Sequence, residues 1–196
     1  GRVVKRILDI IGSFLAIIIL SPFFISISIL VRLTSSGPIF YIQDRIGRDG
    51  KRFSLYKFRS MVADAEKKAD WTIEDDPRVT PLGRILRKTN LDEMRLVHFG
   101  SLNNLSLVGP RPEQPKYVAQ FSNSIPKYFS RHRVKSGMTG WAQINGERGD
   151  RPMKDRIPYD MYYVNNWSLL FDLKIVFITI WQIVSLKTQG DPHLGE

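Results

Sequence analysis

The chain has 196 residues, 29 Lys and Arg against 19 Asp and Glu for a formal charge of +10, and no cysteine. That length suits one domain with a real core, and the missing cysteines exclude a disulfide scaffold, a thiolate metal site and a Cys nucleophile. His98, His132 and His193 are too scattered in sequence to suggest zinc. An apolar content of 43% argues against wholesale disorder, and the basic excess points to anionic partners: nucleic acid, anionic lipid or a phosphorylated metabolite. The chain opens on Gly1 rather than Met, which leads us to expect further residues upstream.

Residues 10–31 (IIGSFLAIIILSPFFISISILV) carry no charge, and as helix they would be roughly 33 Å long, enough to cross a bilayer. The run is too long for a signal peptide, and no small-residue cleavage site follows it. Arg2, Lys5 and Arg6 precede it, and Arg32, Arg45, Arg48, Lys51 and Arg52 follow it. The positive-inside rule keeps both flanks cytoplasmic, as in a helix that dips into the membrane and returns. Ser21-Pro22 stands mid-run: proline removes a backbone donor and bends a helix, and the serine hydroxyl can satisfy the carbonyl so freed. A plain spanning helix with a proline kink fits the same residues. The sequence divides into a membrane-inserted re-entrant helix, 1–35, and one compact cytoplasmic, membrane-associated domain, 36–196, the two expected to work as one unit.

Past residue 35, 39–43 (IFYIQ) and 52–58 (RFSLYKF) read as short strands joined by Gly47-Arg48-Asp49-Gly50, the chemistry of a hairpin turn. A polar helix is expected over 60–69 and helices over 82–88 and 91–99, the last capped by Thr89 or Asn90. Gly109, Pro110, Pro112 and Pro115 make 100–115 a loop. Helix broken at Pro126 is expected over 115–135, then helices over 153–166 and 169–185. The last is apolar on most faces, with Trp167 and Trp181 near its ends, suiting either a membrane surface or a packed core. The fold class is α+β, mainly helical, with a small hairpin and an N-terminal re-entrant helix broken at Ser21-Pro22.

Asp92-Glu93 would occupy a first helical turn, where free N–H groups and the macrodipole favour ionised carboxylates. Acids there usually only stabilise the helix end. This pair keeps basic company: Lys57 and Arg59 in YKFRSM, Arg84, Arg87 and Lys88 upstream, and Arg111 in VGPRPE. Two acids among so many bases fit a magnesium-assisted phosphate site.

The segments GPIFYIQDRIGRDGKRFSLYKFRSM, DPRVTPLGRILRKTNLDE, SLVGPRPE, SGMTGWAQINGERGD and YDMYYVNNWSLLFDLKI, in this order, resemble the bacterial sugar transferases, the monotopic polyprenyl-phosphate phosphoglycosyl transferases. The resemblance implies transfer of a sugar-1-phosphate from a UDP-sugar to undecaprenyl or another polyprenyl phosphate, with release of UMP. It implies Asp92 as the nucleophile that forms a phosphosugar-aspartyl intermediate, Glu93 as the Mg²⁺ ligand, and Lys57, Arg87 and Arg111 as phosphate- and nucleotide-facing bases, to which the basic company of the dyad adds Arg59 as a phosphate-binding candidate. Asp160 and Asp172 match two further family acids with supporting or substrate-positioning roles. It implies a re-entrant helix broken at a Ser-Pro pair, placement at the cytoplasmic face of the bacterial inner membrane, and the first membrane step of exopolysaccharide, capsule, O-antigen or glycoconjugate assembly.

The stretch between Gly146 and Tyr159 resembles larger members that use hexoses such as glucose or galactose. The chain departs from the family at Met94-Arg95-Leu96 and Asn103-Asn104-Leu105, which leaves donor preference open. Expected partners are the UDP-sugar, the polyprenyl phosphate and membrane lipid, with no nucleic acid and with a homodimer as an open option. Two rivals remain: an inactive scaffold of the same fold, and a basic module binding lipid or nucleic acid. Against the second, no nucleic-acid fold signature is visible.

Overall fold

The computed structural model describes residues 2–62, 65, 76–88, 105–147 and 151–185. In chain order the elements are α1 (Arg2–Thr34), β1 (Phe40–Ile46), β2 (Arg52–Phe58), α2 (Pro81–Lys88), β3 (Leu105–Val108), α3 (Pro115–Ser124), β4 (Ser136–Thr139), α4 (Trp141–Ile144), α5 (Met153–Asn165) and α6 (Leu169–Val184). The α+β, mainly helical class expected from the sequence is what this chain adopts. The chain divides into two compact units, Gly1–Ser13 with Asp44–Ser54 and Phe99–Glu196, and Phe14–Gln43 with Leu55–His98.

Helix α1 is continuous over 33 residues, with Pro22 inside it. Pro22 has no N–H to give the Ile18 carbonyl, and the Ser21 hydroxyl donates to that carbonyl at 2.8 Å instead. The break at Ser21-Pro22 is therefore one of hydrogen bonding, and the helical run continues through it. Ser26, Ser28 and Thr34 likewise turn their hydroxyls back onto carbonyls four residues upstream, so their polar groups are satisfied within the helix. α1 is the one helix among the described residues long and apolar enough to cross a membrane. Its Phe14, Leu15, Ile18, Ile19 and Ile25 stand exposed.

In the second unit, Ile27 and Val31 of α1 pack with Phe58 and Leu86, and Phe24 and Phe40 close the cluster with ring centroids 6.1 and 5.4 Å from Phe58. Phe58 is fully buried, a burial that stabilises by roughly 1.5–3 kcal/mol. α2 starts as its sequence dictates: Thr80 Oγ1 accepts the Gly83 N–H at 2.9 Å, and Pro81 takes the first helical position. A side chain on Gly83 would overlap the Ser60 backbone, whose carbonyl accepts the Thr80 N–H at 3.0 Å.

The hairpin of β1 and β2 forms where expected, with Asp49 at φ 55° and Gly50 at φ 75° in the turn. Residues 60–62 of the expected 60–69 helix are instead extended, Met61 bridging Val79. The rest of that segment, apart from Ala65, and the expected 91–99 helix lie outside the described residues. The expected loop over 100–115 holds a strand, β3, which pairs in parallel with β4 as Leu105 with Ser136, Ser106 with Gly137 and Val108 with Thr139. The expected 115–135 helix is α3 followed, past Pro126, by a 3₁₀ turn over Tyr128–Arg133. α5 and α6 match their expected spans to within a residue or two.

The first unit is organised around β3 and β4. Val108, Ile144, Tyr163 and Ile175 form one apolar cluster, and Ile46, Val118, Tyr128 and Met153 form another. α6 buries Ile175 completely, while Leu170, Leu173, Phe177, Ile180 and Trp181 form an exposed stripe at helical spacing. Where β3 runs out, the chain approaches β4 with no room for side chains. Gly109 N–H donates to the Thr139 carbonyl at 2.9 Å and Gly137 N–H to the Pro110 carbonyl at 3.0 Å. A Cβ on Gly109, Gly137 or Gly140 would overlap backbone atoms of the facing segment. We expect Gly137→Ala to lower stability by about 1–3 kcal/mol or more through forced separation of the two segments, read as an unfolding midpoint in detergent. An unchanged midpoint would show that the backbones can part at little cost.

Candidate functional site

The dyad Asp92-Glu93 lies outside the described residues, and the site is built here from the groups around it in sequence. Lys57, Arg59 and Arg87 belong to one unit, and Arg111, Asp160 and Asp172 to the other.

In the first set, Lys57 near the end of β2 places its ammonium 5.0 Å from the centre of the Tyr41 ring. Arg59 follows directly and is almost wholly buried. Its Nη2 donates to the Ser35 carbonyl at 2.8 Å, whereas Nε and Nη1 find no partner among the described residues. Burial, helped by the nearby charge of Arg32, lowers its pKa. Ser60 comes next, and its hydroxyl receives Nε of Arg87 from α2 at 2.9 Å. Two guanidinium groups are thus anchored on adjacent residues, 59 and 60, with buried N–H donors still unused at Arg59. Leaving such donors unpaired costs roughly 1–3 kcal/mol each, and an anion would remove that cost.

The second set surrounds the Gly109-Pro110-Arg111-Pro112-Glu113 loop. Arg111 sits between prolines, so little backbone entropy is lost in fixing it. Its carbonyl accepts Nη2 of Arg131 at 2.9 Å. Arg131, on the 3₁₀ turn, is buried and also meets Asp160 of α5, with Nη2 2.7 Å and Nε 2.9 Å from Oδ2, while Nη1 reaches the Tyr128 hydroxyl at 3.3 Å. Burial, the largest single influence, would lower the Arg131 pKa, but Asp160, Tyr128 and Glu113 together outweigh it and raise the value, so the guanidinium stays charged. Glu113, two residues past Arg111, receives Arg156 Nη1 at 3.1 Å and has Arg45 Nη1 3.9 Å away, and its carbonyl accepts the Ile46 N–H at 2.9 Å.

Asp172, in the first turn of α6, forms an ion pair with Lys5 of α1 and accepts the Tyr163 hydroxyl at 2.7 Å and the Trp167 indole N–H at 3.0 Å. The Tyr163 hydroxyl also stands 3.1 Å from the Val108 carbonyl. Burial, reinforced by Asp172, raises the Tyr163 pKa. Asp9 completes this side, accepting the Ser106 hydroxyl at 3.0 Å and the Leu107 N–H at 3.1 Å. Asp160 and Asp172 are therefore spent on internal partners at either end of the loop. Sequence reasoning missed those partners, Arg131, Lys5, Tyr163 and Trp167, and also missed Asp9, Glu113 and Arg156. No local pattern marks them, since each meets its partner across a long stretch of chain or at irregular spacing. Among the described residues no three His, Asp or Glu cluster as a metal site.

The bacterial sugar transferase model matches residues 1–186. The chain belongs to this family. It is similar to the UDP-glucose:undecaprenyl-phosphate glucose-1-phosphate transferase of Escherichia coli (41% identity over 93% of the chain and 40% of that protein). It is also similar to the UDP-N-acetylgalactosamine-undecaprenyl-phosphate N-acetylgalactosaminephosphotransferase of Aeromonas hydrophila (39%, over 93% of the chain and 44% of that protein). The exopolysaccharide production protein PSS of Rhizobium leguminosarum matches at 40% identity over 96% of the chain and 97% of its own length. The chain thus spans about two fifths of the E. coli relative.

His132 adds a pH dependence to this bacterial sugar transferase. Its Nδ1 lies 3.1 Å from the Gly47 carbonyl, which can only accept, so Nδ1 carries the proton. Nε2 is buried without a partner among the described residues. Burial, then the charge of Arg131, lowers the pKa from 6.5 to about 4. The unfolded chain binds the extra proton first as pH falls, so this contribution is complete above pH 6.5 and is lost between pH 6.5 and 4. We expect the stability gap between the parent and His132→Asn to narrow by about 3 kcal/mol across that window, measured by denaturant unfolding in detergent. Parallel pH curves would mean that His132 takes up its proton in the folded state as readily as in the unfolded chain.

Proposed function

We propose that the chain is the catalytic unit of a membrane-associated transferase that moves a sugar-1-phosphate, of a hexose such as glucose or galactose, from a UDP-sugar to undecaprenyl or another polyprenyl phosphate. The observation that carries this reading is Arg59, a buried guanidinium with two donors that find no partner among the described residues, beside the Arg87–Ser60 anchor, a demand that a phosphate oxygen meets. The relatives' names supply the substrate class. An Asp92 carboxylate oxygen attacks the sugar-bearing phosphorus, the bond to the bridging oxygen breaks, and UMP leaves with that oxygen. An oxygen of the polyprenyl phosphate then attacks the same phosphorus and frees Asp92, dividing one hard displacement into two easier ones. Lys57, Arg59, Arg87 and Arg111 orient the phosphates and offset their charge. Mg²⁺ held by Glu93 is the metal proposed, and its chemistry there is to draw charge from the diphosphate.

One soluble and one lipid-bound substrate require a site at headgroup level, here the cytoplasmic face of the bacterial inner membrane. The exposed apolar residues of α1 and the stripe on α6 support that placement. The start of α1 supports a re-entrant path. Lys5 and Asp9 bind residues 106–108 and 172, and Asp44–Ser54, which follows the helix closely in sequence, belongs to the same unit as they do. The role so defined is the first membrane step of exopolysaccharide, capsule, O-antigen or glycoconjugate assembly.

The test is UMP release by the purified protein given undecaprenyl phosphate, Mg²⁺ and a panel of UDP-sugars. Asp92→Asn should lower it at least about a thousandfold, and EDTA should abolish it. No release from any donor would favour a scaffold of the same fold, and equal release by both proteins would remove Asp92 as nucleophile. The lack of cysteine makes topology direct to read. Val3→Cys and Ser36→Cys should both resist an impermeant maleimide in intact spheroplasts and react after permeabilisation. Labelling at Val3 alone in intact cells would overturn the re-entrant path and leave the chemistry standing.

A further inference from the structure

The donors of Arg131 are directed to three places at once: the Asp160 carboxylate on α5, the Tyr128 hydroxyl on its own turn, and the main-chain carbonyl of Arg111. Asp160 and Arg131 are both about 2% exposed. As a source of stability such a pair is a poor bargain, because desolvating two charges offsets most of their attraction and apolar residues of like volume serve as well. An apolar residue would lack one thing the guanidinium has, a planar fork that ties a carboxylate on one element to a carbonyl on another.

The carbonyl so tied belongs to the residue between two prolines. Pro110 and Pro112 fix φ on either side of Arg111, and Gly109 is bonded to β4 at one end of the loop while Glu113 is held by Arg156 at the other. The prolines leave ψ of Pro110 and both dihedrals of Arg111 to rotate, and Arg131 restrains the peptide plane after Arg111 by holding its carbonyl. We infer that the buried Asp160–Arg131 pair is a positioning device for Arg111, setting the backbone from which that guanidinium addresses substrate phosphate.

This rests on the proposed phosphate role of Arg111 and extends it to a residue pair that acts through it. Asp160 aims Arg131, Arg131 holds the Arg111 carbonyl, and Arg111 meets the substrate. A guanidinium displaced by about an ångström loses much of its worth in a transition state that demands aligned phosphates.

The experiment is a double-mutant cycle on UMP release, with unfolding midpoints measured alongside. Arg111→Ala should lower kcat/KM by about a hundredfold, the size of a lost charge-assisted contact. The apolar swap Arg131→Met with Asp160→Leu should keep the unfolding midpoint close to the parent yet lower kcat/KM by about tenfold. Added to Arg111→Ala, the swap should cost nothing further beyond about threefold, since a device acting through Arg111 has nothing left to position. A swap that is stable and fully active overturns the inference, as does one whose loss simply multiplies with that of Arg111→Ala. If the swap does not fold, Arg131→Lys, which keeps the charge beside Asp160 without the fork, should fold and show a kcat/KM below the parent, and full activity there overturns the inference. If Arg111→Ala itself leaves turnover unchanged, the assignment of Arg111 to the site fails first, a result the cycle reads separately.

Discussion

Three glycines allow two stretches of backbone to touch, and the arrangement of the first unit depends on that contact. Gly109 follows β3, and Gly137 and Gly140 lie in and just past β4. Each is a position where a methyl group would strike the opposing main chain, so the strands close in parallel with carbonyls and N–H groups satisfied across them. The sequence segments VGPRP and SGMTG are in this sense one structure written in two places. Their contact fixes where the Pro-Arg-Pro loop begins. Arg131 under Arg111, Arg156 against Glu113 and the Ile46 N–H on the Glu113 carbonyl then act on a segment whose first residue is already placed.

The same economy governs the start of α1. A charged residue at the edge of an apolar run would ordinarily face water, but Asp9 turns into the protein and caps the β3 edge through Ser106 and Leu107, and Lys5 pairs with Asp172. These groups tie the beginning of the membrane segment to β3 and α6 by directional bonds. The bonds hold register in a way that the exposed apolar side chains further along α1 do not, since apolar contact with lipid is non-directional. Anchoring a catalytic unit at a bilayer requires both, an apolar body to enter the lipid and polar fastenings to set depth and orientation.

What could be read from the sequence divides along the same line between local and distant interactions. The hairpin was legible because alternation and a Gly-Arg-Asp-Gly turn are written in consecutive residues, α2 because Thr80-Pro81 starts a helix, and α5 and α6 because their apolar spacing persists for several turns. β3 and β4 were not legible. Each has four residues set among glycine and proline, and what makes them strands is a partner some thirty residues away. Of the site, the basic residues of YKFRSM and GPRPE were visible as residue types. That Asp160 belongs to Arg131 was not, since that ion pair joins a 3₁₀ turn to a helix 29 residues on. Asp92 and Glu93 were read from a resemblance, and their geometry lies outside the described residues.

The buried arginines separate the two kinds of work that a strongly basic chain can ask of a guanidinium. Arg131 has directed its Nε and both terminal nitrogens to protein partners, one of them the Asp160 carboxyl group. Its charge is neutralised within the fold, so it offers nothing to a ligand and acts only on what it holds. Arg59 is also buried, but burial and then Arg32 disfavour its charge, and two of its nitrogens find no acceptor among the described residues. A fold gains nothing by desolvating a cation and leaving it unmatched. An anion would match those donors. Within a net charge of +10, these two arginines serve different ends. Arg131 is answered inside the structure, and Arg59 keeps two donors without a partner among the described residues.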